Sequence, residues 1–159
     1  MNITVLCVGK IKEAFYRDAV EEYARRLSRY AKLSVVEVND EKTPEDASAA
    51  ENRKILQTEG ERLLARIKDS DYVCALAIDG KMYSSEELSV HLSQLMVEAR
   101  GNLVLIIGGS LGLSEAVLRR ANEKISFSKM TFPHQLMRVI LLEQIYRGFR
   151  IMYNEPYHK

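Results

Sequence analysis

The sequence has few cysteines, no long apolar run and almost no net charge, and each shortage excludes a class of protein. Cys7 and Cys74 both lie in apolar runs typical of strands, and neither has a histidine nearby. We expect them to be reduced core residues of a cytoplasmic protein, forming neither a disulfide framework nor a metal site. No apolar run approaches the roughly 20 residues that a membrane-spanning helix needs. The segment Met1–Lys10 has no basic stretch before its apolar run, which argues against a signal peptide.

Net charge is only +1, from 23 basic and 22 acidic residues, so composition alone does not indicate a nucleic-acid-binding protein. The charges are distributed unevenly, however. Residues 1–32 carry seven basic and four acidic side chains, whereas residues 37–61 carry eight acidic and three basic ones. Residues 119–138 carry five basic side chains and one acidic side chain, Glu123. A net charge near zero can therefore conceal one basic face and one acidic face of the folded protein. The alternative interpretation is that these charges simply lie on ordinary solvated helix faces.

Familiar catalytic and nucleotide-binding motifs are also missing. The glycine-rich segment Gly108–Gly112 has neither the spacing of the Gly-x-Gly-x-x-Gly fingerprint nor the Gly-Lys-Ser/Thr of a Walker loop. No Ser-His-Asp order, paired-carboxylate motif or metal-ligand spacing stands out. A nucleotide-binding enzyme of the ordinary doubly wound type, with NAD or ATP, is therefore a weak alternative, since its fingerprint would also follow the first strand.

Strand and helix patterns alternate along the whole chain. This alternation predicts an α/β fold with a mostly parallel sheet flanked by helices, in one domain spanning residues 1–159. The predicted strands are Ile3–Val8, Leu33–Val38, Asp71–Ile78, Leu103–Ile107 and Ile125–Phe127. The predicted helices are Lys12–Tyr30, Ala49–Lys68, one opened by Ser84, one from Ser114 to about Asn122, and Pro133–Met152.

Particular residues refine these boundaries. Phe15 belongs to a stripe of side chains at helical spacing. Asp79 and Gly80 signal a turn that ends the third strand. Ser84 and Glu87 have the spacing of a capping box. Leu103–Ile107 is apolar throughout, as expected of a strand covered on both faces.

Two segments follow predicted strands at their carboxyl ends, where open α/β sheets bind ligands. Gly108–Gly112 could expose bare N–H groups to a ligand or could simply form a tight strand-to-helix turn. Phe127–Phe132 alternates apolar and hydrogen-bonding residues. It could form an apolar slot for a flat ring or thioether, or connect two elements while packing its apolar side chains into the core.

The last helix and the histidines leave further alternatives. The apolar set of the helix is too broad for one contact, so dimerisation is plausible alongside core packing. Arg138 lies one turn after His134, and Glu143 and Arg147 are also one turn apart.

His134 could bind substrate or cap the helix. His158 lies at the extreme terminus, where a structural role is hardest to justify.

Four segments, in order, are similar to one known family. They are Val5–Lys10, Leu105–Ser110, Ser126–Arg138 and Pro156–Lys159. The chain resembles RlmH, the pseudouridine methyltransferases of large-subunit ribosomal RNA within the SPOUT class. The resemblance covers essentially the whole chain, and Ser126–Arg138 with the Pro-Tyr-His end is its most specific part.

The resemblance implies a C-terminal trefoil knot, an exception to un-knotted connectivity, and a homodimer. It implies methylation of ring nitrogen 3 of a pseudouridine in 23S rRNA, with S-adenosylmethionine as methyl donor and no metal. The large ribosomal subunit or the assembled ribosome would be the partner, and no membrane would be involved. Carried over residue by residue, the cofactor would contact Leu76, Gly108, Phe127, Ser128, Lys129, Met130, Thr131 and Phe132.

The expected reaction needs in-line positioning and removal of the imide proton. From residue type and position we predict His158 as proton acceptor, Tyr157 as stacking or hydrogen-bonding partner, and Arg138 or Arg147 as anion contacts. Phosphates would be bound by the basic first helix and by a second basic group. That group comprises Arg119, Arg120 and Lys124. A non-catalytic ribosome-binding factor is the main alternative, and it would need no cofactor pocket.

Overall fold

Five parallel strands form one sheet, and helices cover both of its faces. The computed structural model describes residues 1–159. The strands are β1 Asn2–Val8, β2 Lys32–Val38, β3 Tyr72–Met82, β4 Asn102–Ile107 and β5 Glu123–Ser126. The helices are α1 Ala14–Leu27, α2 Ala49–Leu64, α3 Ser85–Glu98, α4 Glu115–Arg120 and α5 His134–Met152. The strand order is β2-β1-β4-β3-β5, all parallel, so the predicted α/β class and parallel sheet are confirmed.

Alternate side chains of the central strands face two separate cores. Leu103, Leu105 and Ile107 of β4 join the larger core, which includes residues of α1, α3 and α5. Val104 and Ile106 join the smaller core with Leu63 of α2 and Val117 of α4. Residues 103–107 are all buried, which confirms that β4 is covered on both faces.

Three helices are shorter than the sequence pattern predicted. Helix α1 begins at Ala14 and ends at Leu27, and Phe15, a member of its apolar stripe, is 64% exposed. Helix α2 ends at Leu64 because the next amides, of Arg66 and Ile67, bond three residues back and tighten the last turn. Helix α4 ends at Arg120 rather than near Asn122, whose amide bonds the carbonyl of Val73 in β3 instead.

The predicted turn at Asp79 and Gly80 is also wrong, since β3 continues through Met82. The pairing of β3 with β5 shifts register between Leu76 and Lys81. A β-carbon on Gly80 would lie 2.6 Å from the backbone of Ile125. The glycine therefore marks a close approach of the β5 backbone within an irregular strand.

Local capping and burial agree with the sequence. Ser84 Oγ accepts from the amide of Glu87 at 3.1 Å, and the Glu87 carboxylate accepts from the amide of Ser84 at 2.7 Å. The predicted capping box is confirmed. Cys7 and Cys74 are free and buried, as predicted. None of the helices is both long and apolar enough to cross a membrane.

Candidate active site

A cavity of ≈ 340 Å³ opens beside the middle of β3 and the carboxyl ends of β4 and β5. Its walls come from four places in the chain: the middle of β3 at 76–78, the segment 107–112, the segment 125–132 without Lys129, and His134 with Met137 of α5. The strands are neighbours in the sheet, so segments far apart in sequence meet at one edge. This is the place where parallel sheets bind ligands.

Most of the predicted cofactor residues lie in this cavity. The lining includes Leu76, Gly108, Phe127, Ser128, Met130, Thr131 and Phe132. Lys129 does not line the cavity, and its side chain is exposed. The sequence did not single out Ile107 or Met137, which also line the cavity and which the apolar pattern alone assigns to the core.

The glycine segment folds back tightly on itself beside the cavity. A β-carbon on Gly108 would lie 2.4 Å from the carbonyl oxygen of Gly112, so a side chain there would collide with backbone. The amide of Gly112 donates to the carbonyl of Gly109 at 3.0 Å, and Gly112 has φ +85°. The segment is thus a tight turn and, because its residues line the cavity, also a stretch of bare backbone open to a ligand.

The segment after β5 is braced by its own serines. Ser126 Oγ donates to the carbonyl of Ser128 at 3.1 Å, and Ser128 Oγ accepts from the amide of Met130 at 3.0 Å. Phe127 packs against the larger core, whereas Met130 is 73% exposed. The segment is therefore more than a connector filling the core, because it holds an apolar wall in a set position.

His134 is the only ionisable side chain in the cavity wall. The pKa of His134 is lowered by burial and by the neighbouring cations Arg138 and Lys12, with Asp40 acting in the opposite direction. The imidazole is therefore mostly neutral near pH 7. No group of three His, Cys, Asp or Glu side chains is placed to hold a metal ion.

Glu59 of α2 lies behind the glycine segment and was not singled out by the sequence. Its Oε2 accepts from the amide of Glu41 at 3.0 Å, while its buried Oε1 has no partner. A β-carbon on Gly109 would lie 3.3 Å from this Oε1. Burial raises the pKa of Glu59, and Asp40 adds to the shift against the opposing effects of the Glu41 amide and Arg62.

Arg138 is fully buried and does not line the cavity. Its Nη1 donates to Glu37 Oε2 at 2.7 Å, and its Nη2 donates to the carbonyls of Gly9 at 2.7 Å and Val8 at 3.2 Å. The guanidinium therefore ties α5 to the carboxyl ends of β1 and β2. It is not accessible to a substrate phosphate in this arrangement.

The C-terminal residues pack against α3 and α5, away from the cavity wall. The Tyr157 hydroxyl donates to Glu143 Oε1 at 3.1 Å, and the Arg147 guanidinium lies 4.7 Å from the Tyr157 ring centre. His158 Nε2 is 2.7 Å from Glu86 Oε1, and its Nδ1 is 3.3 Å from Arg147 Nη1. Burial and then the hydrogen bond to Glu143 raise the pKa of Tyr157, so its phenol stays neutral.

Many residues of the predicted basic face are already paired. Arg120 donates to the carbonyls of Lys68 and Asp71, and Lys124 pairs with Asp79 at 2.7 Å. Arg119 is exposed and lies 3.4 Å from a Glu115 carboxylate oxygen. Lys10, Lys12 and Lys129 are exposed and form no ion pair. These three lysines, near the ends of β1 and β5, are therefore among the exposed cations without an acidic partner, whereas Arg119 and Arg120 of α4 have partners.

The parallel sheet, the cavity at its carboxyl edge and the glycine-lined wall describe an α/β protein built to hold a ligand beside β3, β4 and β5. A family model described as "Predicted SPOUT methyltransferase" matches residues 1–158. The chain belongs to this SPOUT methyltransferase family.

Individual relatives are highly similar over their whole length. Proteins named Ribosomal RNA large subunit methyltransferase H are 59% identical in Clostridium novyi (strain NT), 58% in Bifidobacterium animalis subsp. lactis and 57% in Clostridium acetobutylicum. Each aligns over 159 residues, covering 100% of both chains. The resemblance inferred from the four sequence segments is confirmed.

Proposed function

We propose that this chain is an S-adenosylmethionine-dependent methyltransferase that methylates ring nitrogen 3 of a pseudouridine in 23S rRNA. The observation that carries the proposal is the cavity beside the middle of β3 and the carboxyl ends of β4 and β5, with bare glycine backbone on one wall. Relatives that match over their full length are named as ribosomal RNA large subunit methyltransferases, which supplies the substrate class. A non-catalytic ribosome-binding factor would need no such cavity.

The residues present fit the proposed methyl donor. A flat adenine ring suits the apolar walls formed by Leu76, Phe127 and Met137, and backbone groups of Gly108 and Gly109 can bond its polar edges. A β-carbon at Gly108 would displace the turn that makes this backbone accessible. When bound, the donor supplies a methyl group already activated by a sulfonium charge.

The chain's own residues then have three tasks: positioning, exclusion of water and proton removal. The apolar walls restrict water, and His134 is the sole titratable group within them. We propose Tyr157 and His158 as catalytic residues and Arg138 as a positioning residue. Arg138 acts by positioning α5, since it is buried and paired. His158 and Tyr157 take part when bound RNA or a second copy of the chain brings them to a cavity.

Titration calorimetry with S-adenosylmethionine is the first test, using the wild-type chain and Gly108→Ala. We expect binding by the wild type, strong weakening by Gly108→Ala, and no change for Ser93→Ala, an exposed position on α3. Methyl transfer should then be compared on naked rRNA, isolated large subunits and whole ribosomes. No heat with the donor would favour the ribosome-binding factor, and transfer to none of the three substrates would reject the proposed activity.

Deletion of Tyr157–Lys159 tests the C-terminal residues separately. We expect methylation to be lost while donor binding persists, because these residues do not line the cavity. Full methylation by the truncated chain would show that the terminus has no catalytic role.

RNA binding would use phosphate contacts from exposed cations, among them Lys10, Lys12 and Lys129, supported by the basic first helix and Arg119. Each phosphate contact releases counterions, so affinity should fall steeply with salt. An affinity unchanged between low and physiological ionic strength would contradict this part of the proposal.

The proposal also includes a homodimer, a C-terminal knot and a cytoplasmic location. A homodimer is supported by large apolar side chains more than half exposed around β3 and the segment after β5, namely Ile78, Met82 and Met130. Light scattering at increasing protein concentration tests the homodimer, and a monomer at every concentration would contradict it.

A trefoil knot in the C-terminal part is expected from family membership. Pulling on both termini should leave an extended length shorter than that of a free 159-residue chain. A cytoplasmic location fits a ribosomal substrate.

A further inference from the structure

His134 differs from the other two histidines in having no bonding partner. His91 bonds Glu123 and His158 bonds Glu86, whereas no group of the chain bonds the His134 ring. Its side chain is half-buried at the first residue of α5 and contributes to the cavity wall. The ring nitrogens are therefore unpaired in a side chain that borders the place where the methyl donor is proposed to bind.

Charged groups from three other places surround the ring. Arg138 lies one turn along α5, Lys12 precedes α1, and Asp40 follows β2. His134 Nε2 and Asp40 Cγ lie 3.6 and 3.8 Å from the same point, the position of a β-carbon on Gly9. Glu37 is committed to Arg138, so Asp40 is the nearby carboxylate free to interact with the ring.

We propose that His134 is the proton acceptor of the methyl transfer. The inference rests on the proposed function. As the bond from ring nitrogen 3 to the methyl carbon forms, the bond from sulfur to that carbon breaks and its electron pair stays on sulfur. The proton of nitrogen 3 passes to His134, giving imidazolium and neutral S-adenosylhomocysteine. Water then removes the proton from the ring.

Charge in the cavity favours this assignment. Before transfer the sulfonium carries the positive charge, and a neutral imidazole avoids repulsion beside it. After transfer the sulfur is neutral and the imidazolium carries the charge, so the cavity holds +1 throughout. Asp40 is positioned to stabilise the imidazolium only once it has formed. His158 lies outside the cavity wall, and its Nε2 is already bonded to Glu86.

The kinetic test compares wild type with His134→Gln and His134→Asn in single-turnover methylation of ribosomes. Loss of a general base typically costs about 100-fold or more, and donor affinity by calorimetry should stay within about threefold. The wild-type rate should rise with pH through the lowered pKa of His134, and this inflection should vanish in both variants. Added imidazole should restore part of the rate to His134→Ala. His91→Gln, remote from the cavity, should keep the inflection.

A second readout needs no turnover. Nuclear magnetic resonance titration of the His134 ring should give a lower pKa with S-adenosylmethionine bound than with S-adenosylhomocysteine, because only the former carries the sulfonium charge. Equal pKa values with the two ligands would place the ring away from the sulfur and overturn the inference.

The outcomes separate the inference from the function on which it rests. A wild-type chain that neither binds the donor nor methylates RNA rejects the proposed function. A wild type that methylates, together with folded variants that methylate within threefold of it, rejects only the role of His134. Variants that lose donor affinity and rate by the same factor also overturn it, since His134 would then be a donor-binding residue.

Discussion

The buried guanidinium of Arg138 allows a sharp test of what holds the ends of β1 and β2 against α5. Arg138→Met keeps much of the side-chain volume but removes every donor. Three hydrogen bonds disappear, to Glu37 and to the carbonyls of Val8 and Gly9. The Glu37 side chain is 33% exposed, so water can reach its carboxylate, whereas Val8 is fully buried.

The expected loss follows from this geometry. Removing one partner of a buried ion pair costs about 3–5 kcal/mol because the other groups stay unpaired. Partial rehydration of Glu37 places Arg138→Met near the lower end, at roughly 3–4 kcal/mol. With a urea m-value of about 2 kcal/mol per M, the unfolding midpoint should fall by about 1.5–2 M at unchanged m.

Two control variants separate burial from charge. Arg119→Met removes an exposed pair with Glu115 and should change stability by less than about 0.5 kcal/mol. Arg138→Lys keeps the charge, but a lysine lacks the planar guanidinium that bonds Glu37 and both carbonyls at once. Its stability should therefore lie between those of wild type and Arg138→Met. A loss below about 1 kcal/mol for Arg138→Met would refute the view that this residue braces the edge beside the cavity.

Three other predictions follow from single positions. Gly108→Ala should weaken donor binding about tenfold or more in calorimetry, about 1.4 kcal/mol, because its β-carbon meets the Gly112 carbonyl at 2.4 Å; unchanged affinity would contradict the close approach. Glu59 has a pKa raised by burial, so the folded wild type should lose stability as pH rises from 4.5 through that pKa. In urea unfolding, the free energy of unfolding of Glu59→Gln relative to that of wild type should therefore increase from pH 4 to pH 8. A difference between the two proteins that does not change with pH would contradict this prediction. Burial raises the pKa of Cys7 to about 12 and also raises that of Cys74, so neither should react with a thiol reagent until the protein is denatured.

The sequence predicted the parallel sheet because alternating apolar runs and helical stripes are local patterns. The sequence predicted less well the local structure at positions where two elements contact each other. The β3 pattern gave Asp79 and Gly80 as a turn, since those residues favour turns in isolation. Their place in a longer strand depends on the backbone of Ile125 passing close to Gly80, a contact made by residues distant in sequence.

The predicted cofactor residues lie within β3 and after β4 and β5, and the structure brings all of them but Lys129 into one cavity wall. Their individual roles are not accessible to sequence. The sequence predicted that Arg138, one turn after His134, is a cation available to bind an anion. In the structure its side chain is fully buried and paired with Glu37. Burial and pairing depend on which distant groups surround a side chain, and helical spacing carries no information about them.

By itself, the sequence determined the order of strands and helices, the family and the two segments that line the cavity. These depend on short-range pattern, turn chemistry and motif. Only the tertiary structure decided that His134 faces the cavity unpaired, that Arg138 is internal, and that His158 is bonded to Glu86 away from the cavity wall. The physical reason is that the availability of a side chain for chemistry depends on desolvation and on partners, and both come from residues distant in the chain.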